Sequence, residues 1–231
     1  MIKRNPIRSF VRRDSRITHA QSLAYQTLWP QFGCQTDHLV DYDILFGRKA
    51  PRFLEIGFGS GQSLLALANS QPDRDFIGVE THKPGIGALL LGVKSLGMNN
   101  LRIFHGDVID VLTHHIPLNS LDGILIFFPD PWPKRRHHAR RLIQPDFVTL
   151  LLDRMKLDAV LHLATDWEDY ARHMRQVVTQ EKRLINLAGE GQFAGRSSLR
   201  PVVTKFERRA IESGRLIWEL QLVKKGLEFG G

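Results

Sequence analysis

A glycine-rich segment at residues 53–61 contains the first residues of this sequence that could take part in chemistry. It reads Phe-Leu-Glu-Ile-Gly-Phe-Gly-Ser-Gly, so that Gly57, Gly59 and Gly61 follow an apolar run at every second position. Because glycine has no Cβ, it lets the backbone turn sharply out of a strand and come close to a ligand. We therefore interpret the segment as a nucleotide-binding turn, with an ordinary tight turn between a strand and a helix as the alternative.

The spacing of the glycines narrows the class of nucleotide. A dinucleotide fingerprint would need its third glycine at the position of Gln62, one residue beyond Gly61. The Lys followed by Ser or Thr that completes a P-loop is missing as well. The turn that remains is the one used by enzymes that bind S-adenosylmethionine on a doubly wound sheet.

Acidic residues stand at the ends of the first three predicted strands. Glu55 closes the strand before the glycine turn, Glu80 closes the second strand, and Asp107 follows the third. Ligands of doubly wound sheets bind at this edge, which places Glu80 near a ribose, Asp107 near an adenine amino group and Glu55 near the methionine part. Each acid alone could instead be solvated or cap a helix. Together with the glycines, they favour a cofactor site.

The most specific stretch of the chain follows the fourth predicted strand, at residues 126–141. It reads Ile-Phe-Phe-Pro-Asp-Pro-Trp-Pro-Lys-Arg-Arg-His-His-Ala-Arg-Arg. The alternating prolines predict a stiff loop that holds Asp130 outward, Trp132 offers a face for a base, and the basic run suits phosphates. A rigid loop with an exposed charge run is the alternative. We expect no metal site, because the adjacent His137 and His138 would diverge and lack Cys or His partners.

The overall charge indicates a polyanionic partner. The chain of 231 residues has a formal net charge of +8, and cations that neutralise phosphates release condensed counterions. The single cysteine, Cys34, cannot form an internal disulfide, and no secretory signal is evident, so we expect a cytoplasmic location. The longest apolar runs are too short to cross a bilayer, so we expect no membrane partner.

Strand and helix patterns alternate from residue 51 onward, which predicts an α/β fold with parallel strands. Apolar runs of strand length lie at residues 53–56, 76–79, 101–104, 123–128 and 160–163. Helices are predicted at residues 18–28, 37–46, 63–68, 84–96 and 147–155.

The chain divides into a basic arm at residues 1–17 and one domain at residues 18–231. The arm carries six Lys and Arg residues and one acid, Asp14. From charge alone it could be a solvated disordered tail or an organelle transit peptide.

Four segments resemble the bacterial tRNA (guanine-N7)-methyltransferase family. They are the glycine turn, residues 129–134 with their basic tail, Ala-Thr-Asp-Trp at residues 164–167, and Thr-Lys-Phe-Glu at residues 204–207. The resemblance runs from about Ile7 to Leu220 and includes the arm, which removes the transit-peptide interpretation. It implies a class I methyltransferase: an α/β domain with a doubly wound, mostly parallel, seven-stranded sheet.

The resemblance implies cofactor contacts at three acids, a central role for Asp130, and substrate contacts at Lys134, Asp166 and residues 204–207. With the residues inferred from the pattern, the candidate S-adenosylmethionine site comprises Glu55, Gly57, Gly59, Gly61, Glu80, Asp107 and Asp130. The candidate tRNA site comprises Lys134, Arg135, Arg136, Arg140, Arg141, Asp166, Thr204, Lys205, Phe206 and Glu207. The chain departs from the family's usual Gly at Ala210 and usual His at Arg215, which concerns the wall of the base pocket rather than the reaction.

The implied reaction needs alignment rather than removal of a proton. Guanine N7 carries a lone pair and no proton, so it can attack a sulfonium methyl directly. Carboxylates that accept from guanine N1–H and the amino group would orient the ring. Asp130 and Glu207 are the candidates, with Asp166 assisting, and Asp130 is catalytic by positioning and electrostatics. On spacing alone, the favoured interpretation is that Asp166 and Thr204 cap the helices that follow them.

Two other functions remain open from the sequence. A methyltransferase acting on an amino group would carry an Asp/Asn-Pro-Pro-aromatic loop, and residues 130–132 differ from it by Trp132 at the second proline. A non-catalytic RNA-binding protein could keep the sheet as a scaffold, although the intact acids argue against it. The expected partner is tRNA, with a guanosine of the variable loop as the target that the resemblance implies. The oligomeric state stays open, with a monomer as the working expectation.

Overall fold

The short apolar runs form the strands of one sheet. The computed structural model describes residues 16–35 and 37–226. Its strands are β1 (Arg52–Ile56), β2 (Asp75–Glu80), β3 (Leu101–His105), β4 (Leu121–Phe127), β5 (Met155–Thr165), β6 (Leu184–Asn186) and β7 (Trp218–Lys224). The strand order is β3-β2-β1-β4-β5-β7-β6. Strands β1 to β5 pair in parallel, whereas β7 runs antiparallel to β5 and β6. The predicted α/β class with a doubly wound, mostly parallel, seven-stranded sheet is confirmed.

All five strands predicted from apolar runs are present, but no local pattern indicated β6 or β7. Strand β6 has three residues, too few to show a period. Strand β7 reads Trp-Glu-Leu-Gln-Leu-Val-Lys, and its buried Glu219 and Lys224 interrupt the apolar pattern. Strand β4 ends at Phe127, one residue before the predicted end, because Phe128 has a φ of 52°.

Helices cover both faces of the sheet. They are α1 (His19–Phe32), α2 (Tyr42–Phe46), α3 (Gln62–Ser70), α4 (Lys83–Leu96), α5 (Val108–His114), α6 (Pro145–Arg154), α7 (Glu168–Thr179), α8 (Lys205–Glu212) and a 3₁₀ helix (Arg135–Arg140). Helices α1, α3 and α4 bury Phe53 of β1 on one face, and α5, α6 and α7 bury its neighbour Leu54 on the other. Burial on both faces explains why these strands are apolar at nearly every position.

The first two helices differ from their predicted bounds. Helix α1 passes through Pro30 and ends at Phe32: Pro30 removes only one N–H near the helix end, and Phe32 is buried beyond it. The helix predicted at residues 37–46 begins only at Tyr42. Asp41 precedes it as an N-cap whose carboxylate accepts from two backbone N–H groups of the first turn.

Most of the predicted basic arm lies outside the described residues, which include only Arg16 and Ile17 of residues 1–17. The arm segment at residues 7–13, which contributes to the family resemblance, lies outside them as well. The division into an arm and one domain stays a prediction.

Candidate active site

A cavity of about 1290 Å³ opens at the carboxyl edge of the parallel strands. The glycine turn after β1, Glu80 at the end of β2, Asp107 after β3 and Asp130 after β4 line it. Asp166 after β5 and Thr204 before α8 complete the wall. The structure therefore brings acids from the ends of five neighbouring strands into one cavity.

The glycine turn has a backbone that residues with a Cβ rarely adopt. Gly57, Gly59 and Gly61 have φ values of 71°, 59° and 75°. A Cβ at Gly57 or Gly59 would meet no described atom within 4 Å, and both glycines line the cavity. Gly61 has a different role: a Cβ there would lie 2.8 Å from Leu89 of α4, and Gly61 is not among the described lining residues.

Glu80 ties the glycine turn to the loop after β2. One carboxylate oxygen accepts from the N–H of Gly59 at 2.8 Å. The other accepts from the N–H groups of Thr81 and His82 at 2.7 and 3.0 Å. The backbone therefore holds this acid in place, and its oxygens keep further lone pairs for the ribose hydroxyls that the sequence predicts.

Glu55 is a buried acid with an unpaired oxygen. The residue is 3% exposed, and its Oε2 has no hydrogen-bond partner among the described residues. Burial, reinforced by the negative charge of Glu80, raises the pKa of Glu55 to about 8. Such a carboxyl is suited to a cationic group that enters the cavity. The unpaired acid, the glycine cradle and Glu80 together fit S-adenosylmethionine, whose methionine part carries an ammonium group.

Asp107 caps a helix as well as lining the cavity. Its Oδ1 accepts from the N–H of Ile109 at 2.9 Å at the start of α5. The capping interpretation is therefore correct for this acid. Because Asp107 is only half-buried and lines the cavity, a cap and a ligand contact are compatible.

Asp130 lies in an irregular loop between β4 and the 3₁₀ helix, as the prolines predict. Phe128 and Trp132 on either side of it have φ values of 52° and 46°. A left-handed conformation costs a non-glycine residue about 1 to 3 kcal/mol, so the surroundings must hold it. The N–H of Phe128 donates to the carbonyl of Ala164 at 2.8 Å and ties the loop to β5. Asp130 is half-buried between these two turns and lines the cavity.

The structure corrects the prediction that a base stacks on Trp132. The guanidinium of Arg140 lies 5.0 Å from the centre of the indole, and His137 packs edge-on at 5.9 Å. Trp132 is not among the described residues that line the cavity, whereas Phe128 and Phe206 are. The indole therefore stabilises the loop and the 3₁₀ helix.

The basic run after the loop divides into exposed and buried cations. Lys134, Arg135, Arg136 and Arg140 are exposed on or beside the 3₁₀ helix. Arg141 is 3% exposed.

Arg141 fastens the loop to α7. Its Nε donates to the carbonyl of Pro131 at 3.0 Å, and its Nη2 donates to the carboxylate of Asp169. The guanidinium also lies 5.0 Å from the centre of the Tyr170 ring. The hydrogen bond from Arg141 lowers the pKa of Asp169. Burial contradicts the predicted phosphate contact of Arg141.

Asp166 and Thr204, which the sequence left open as helix caps, have different roles. Helix α7 begins after Trp167 without a side-chain cap, and the carboxylate of Asp166 accepts from Arg215 at 2.5 Å. Asp166 and Arg215 both line the cavity, so the capping interpretation of Asp166 is wrong. The hydroxyl of Thr204 accepts from the N–H of Glu207 at 3.3 Å, so Thr204 does cap α8, and it also lines the cavity.

Only part of the Thr-Lys-Phe-Glu motif lines the cavity. Phe206 is 53% exposed and lines the cavity, and Lys205 is exposed but not among the described lining residues. Glu207 is 1% exposed and pairs with Arg196 and Arg200. The prediction that Glu207 accepts hydrogen bonds from guanine is contradicted by its burial, because Glu207 lies against the two arginines and is not among the described residues that line the cavity.

Several lining residues escaped the sequence prediction. They include Gln21, Lys83, His105 and Arg200. Lys83 begins α4 three residues after Glu80, and this nearness to a predicted ligand was the one available signal. Arg200 had none, because it lies in a loop whose pattern does not show which acids it pairs with.

The described residues contain neither a metal-binding cluster nor a membrane-spanning helix. Within residues 16–35 and 37–226, no group of three or more His, Cys, Asp or Glu side chains could hold a metal ion. None of the described helices combines the length and the apolar content needed to cross a membrane.

The sheet order, the glycine turn and the acidic cavity define a class I S-adenosylmethionine-dependent methyltransferase. The sequence model of a family described as "Putative methyltransferase" matches residues 49–220. The crystal structure of the 16S rRNA methyltransferase KamB shares the fold with a TM-score of 0.62 and 14% identity, over 84% of this chain and 98% of that chain. A 30S ribosomal A1408 methyltransferase from an uncultured bacterium gives 0.55 and 13% over the same shares.

Nearer relatives identify the family. A tRNA (guanine-N(7)-)-methyltransferase of Idiomarina loihiensis is 49% identical over 216 residues, which cover 93% of this chain and 88% of the relative. The protein of the same name from Alkalilimnicola ehrlichii is 48% identical over 225 residues, covering 96% and 94%. The chain belongs to the tRNA (guanine-N(7)-)-methyltransferase family, and the predicted resemblance is confirmed.

Proposed function

We propose that this protein transfers a methyl group from S-adenosylmethionine to N7 of a guanosine in tRNA. The observation that carries this conclusion is the match to curated tRNA (guanine-N(7)-)-methyltransferases over more than nine-tenths of the chain. The cavity supports it, because a glycine turn and five acids meet at the edge where doubly wound sheets bind ligands.

The cofactor half of the cavity comprises the glycine turn, Glu55, Glu80 and Asp107. Glu55 would face the ammonium group, Glu80 the ribose and Asp107 the adenine amino group. When bound, S-adenosylmethionine supplies an electrophilic methyl carbon on a sulfonium. The backbone bonds to Glu80 keep this half ordered, so little reorganisation is needed on binding.

The substrate half has to align guanine with that methyl group. Guanine N7 carries a lone pair and no proton, so none of these residues has to act as a general base on it. Asp130 is the acid that the loop between Phe128 and Trp132 presents to the cavity, and we assign it to orienting the guanine ring. Asp166, Thr204 and Phe206 line the same side. Glu207 supports α8 from behind rather than contacting the base.

The surface around the cavity suits an RNA. The exposed cations of the 3₁₀ helix region lie beside the Asp130 loop, and Lys205 lies exposed on α8 beyond Phe206. Cations at these places can pair with the phosphates that flank a target base. A target in the variable loop, a monomeric state and a cytoplasmic location are further parts of this proposal; the single cysteine, buried and free, agrees with a reducing compartment.

The product identifies the reaction. The wild-type chain should convert unmodified tRNA and labelled S-adenosylmethionine into N7-methylguanosine, detected by mass after digestion to nucleosides. Aniline cleavage after reduction distinguishes this product from one methylated on an amino group. An amino-methylated product would favour the rival enzyme, and failure to bind S-adenosylmethionine would favour a non-catalytic RNA-binding protein.

Asp130→Asn tests the role of the central acid. We expect kcat to fall by at least about 100-fold, because an orienting charge in the site is lost, while cofactor affinity is kept. Asp146→Asn, an exposed acid in the first turn of α6, is the matched control and should retain activity. Unchanged turnover in Asp130→Asn would remove Asp130 from the site.

A further inference from the structure

We propose that Arg200 is a positioning residue for methyl transfer, which acts through Phe128 on Asp130 and through Glu207 on helix α8. The proposal rests on the proposed function. It concerns how one buried cation holds the two parts of the substrate half of the cavity, the loop that carries Asp130 and helix α8.

Arg200 joins a strand of the sheet to the helix that carries the Thr-Lys-Phe-Glu motif. The residue is 2% exposed. Its Nη1 pairs with Glu219 on β7, and its Nη2 lies 2.7 Å from Oε2 of Glu207 on α8. A buried charge is stable only close to the groups that pair with it. Arg200 therefore keeps Glu219 of β7 and Glu207 of α8 near one another and fixes the distance between β7 and α8.

Each acid bound by Arg200 has a second fixed partner. Nε2 of His162 on β5 lies 2.7 Å from Oε2 of Glu219, and the N–H of Ser197 donates to the same oxygen at 3.3 Å. Arg196 pairs with Glu207. Two arginines thus face two carboxylates, and the charge of the cluster is balanced without counting His162. In a largely buried cluster whose charges are balanced, one pairing of arginines with carboxylates is favoured. This pairing leaves the Arg200 side chain little freedom to move.

The guanidinium of Arg200 also packs against the residue that begins the Asp130 loop. Its Cζ lies 5.1 Å from the centre of the Phe128 ring and 5.6 Å from that of Phe127. The left-handed backbone of Phe128, with a φ of 52°, persists only where the surroundings hold it. Since only Pro129 separates Phe128 from Asp130, a shift of the Phe128 ring would move the carboxylate that faces the substrate.

The same cation controls the position of α8. Glu207 lies one residue after Phe206 and three after Thr204, which both line the cavity. A helix held by Glu207 therefore presents Phe206 and Thr204 at a fixed distance from the sheet. Arg200 contacts both Phe128 and Glu207. Replacing Arg200 should therefore loosen the Asp130 loop and helix α8, the two parts of the substrate half, while leaving the cofactor half in place.

The primary test compares Arg200→Lys and Arg200→Met with wild type. Lysine keeps the charge but lacks the planar fork and the stacking surface. We expect kcat, measured with saturating tRNA and cofactor, to fall about 10-fold to 100-fold in both variants, because displacement of a positioned group by about 1 Å has such effects. The dissociation constant for S-adenosylmethionine, measured by calorimetry, should stay within about twofold of wild type.

A matched control separates positioning from general destabilisation. Arg154 is another buried arginine, on α6, which donates to the carbonyl of Leu112 at 2.6 Å and is not among the described lining residues. Arg154→Met should lower the melting temperature and keep the kcat of the folded fraction. If Arg154→Met lost as much kcat as Arg200→Met at equal stability, the positioning role would be excluded.

A cycle with Phe128 keeps the proposal testable if Arg200→Met folds poorly. Phe128→Leu alone should reproduce part of the kcat loss, and Phe128→Leu combined with Arg200→Lys should lose clearly less than the product of the two single losses, because both variants remove the same contact. Unchanged kcat in Phe128→Leu, or losses that multiply in the double variant, would overturn the proposal. Wild-type formation of N7-methylguanosine together with full activity of the Arg200 variants would refute the positioning role alone, whereas a wild type that makes no such product would refute the proposed function.

Discussion

The two halves of the cavity hold their acids by different means. In the cofactor half, backbone N–H groups hold Glu80 and Asp107, and Glu55 is buried with an unpaired oxygen. In the substrate half, Arg215 binds Asp166 in the cavity wall, and Arg200 binds Glu207 behind that wall. Backbone bonds come with the strand ends themselves, whereas these arginines lie outside the strands that end at the cavity. The cofactor half is thus built by the sheet, and the substrate half by side chains of the loops and α8.

Glu80→Ala should have the largest effect if backbone bonds order the cofactor half. The variant loses three backbone hydrogen bonds to a charged acceptor and the predicted ribose contact. We expect the dissociation constant for S-adenosylmethionine to rise by at least about 100-fold, since bonds to charged groups contribute about 1.5 to 3 kcal/mol each. Calorimetry measures this directly, with exposed Asp110→Ala as the control. Affinity within about threefold of wild type would mean that Glu80 does not organise the cofactor half.

The unpaired oxygen of Glu55 predicts a pH dependence of cofactor binding. A cation beside Glu55 favours the ionised form, so the cofactor must displace a proton whose pKa is about 8 in the free protein. Cofactor affinity should therefore weaken as the pH falls below 8, by about 50-fold between pH 8 and pH 6, with release of about 0.9 proton at pH 7. Calorimetry in buffers of different ionisation enthalpy measures the proton count.

Glu55→Gln is the control for that titration. It also tests the direction in which the stability of the cofactor-free protein changes with pH. The folded-state pKa of Glu55 lies above the ordinary value of 4.5, so the folded protein binds this proton more tightly than the unfolded chain. The stability of the cofactor-free protein should consequently fall as the pH rises from about 4.5 to about 8, and Glu55→Gln should remove that component. Persistence of the same proton release in Glu55→Gln would assign it to another group.

Arg141→Met tests whether arginine pairs of the substrate half are structural. The variant loses hydrogen bonds to Pro131 and Asp169 and the packing on Tyr170. We expect a loss of about 2 kcal/mol in the free energy of unfolding, measured with urea, because the partner Asp169 is itself largely exposed. The salt dependence of tRNA binding should not change. A flatter salt dependence with unchanged stability would restore Arg141 to the phosphate contacts.

The exposed cations should show the opposite behaviour and the smallest effect. Replacing Arg135 and Arg136 by Ala should leave stability nearly unchanged and lower the slope of log affinity for tRNA against log salt by about 1 to 2. Filter binding between low and moderate salt gives this slope. A slope equal to that of wild type would place the RNA elsewhere on the surface.

The same difference between the halves explains which residues of the site could be predicted from the sequence. The glycine turn and the acids after β1, β2 and β3 could be predicted, because a strand end and its next few residues are contiguous. The roles of Arg141 and Glu207 could not. Arg141 is adjacent to Arg140 in one basic run, and charge alone does not tell which cation faces inward. Glu207 belongs to a recognisable motif, but its partner Arg200 lies in a loop without a periodic pattern.

The fold shows the same limit. Strands β1 to β5 have apolar runs because both faces are covered, whereas β7 contains Glu219 and Lys224, whose partners come from elsewhere in the chain. Lys224 donates to the carbonyls of Leu152 and Met155 at 2.7 Å each, so a buried lysine interrupts a pattern that would otherwise predict a strand. The family resemblance supplied the seven-stranded sheet that local patterns did not.

A crystal structure with S-adenosylhomocysteine tests the central claim most directly, because the demethylated product marks where the donor sulfur lies. We expect the ribose hydroxyls within hydrogen-bond distance of Glu80, the amino group beside Glu55, and the sulfur directed toward Asp130 and the Phe128 side of the cavity. Binding of the product away from the carboxyl edge of β1 and β4, or with its sulfur turned from Asp130, would contradict the account.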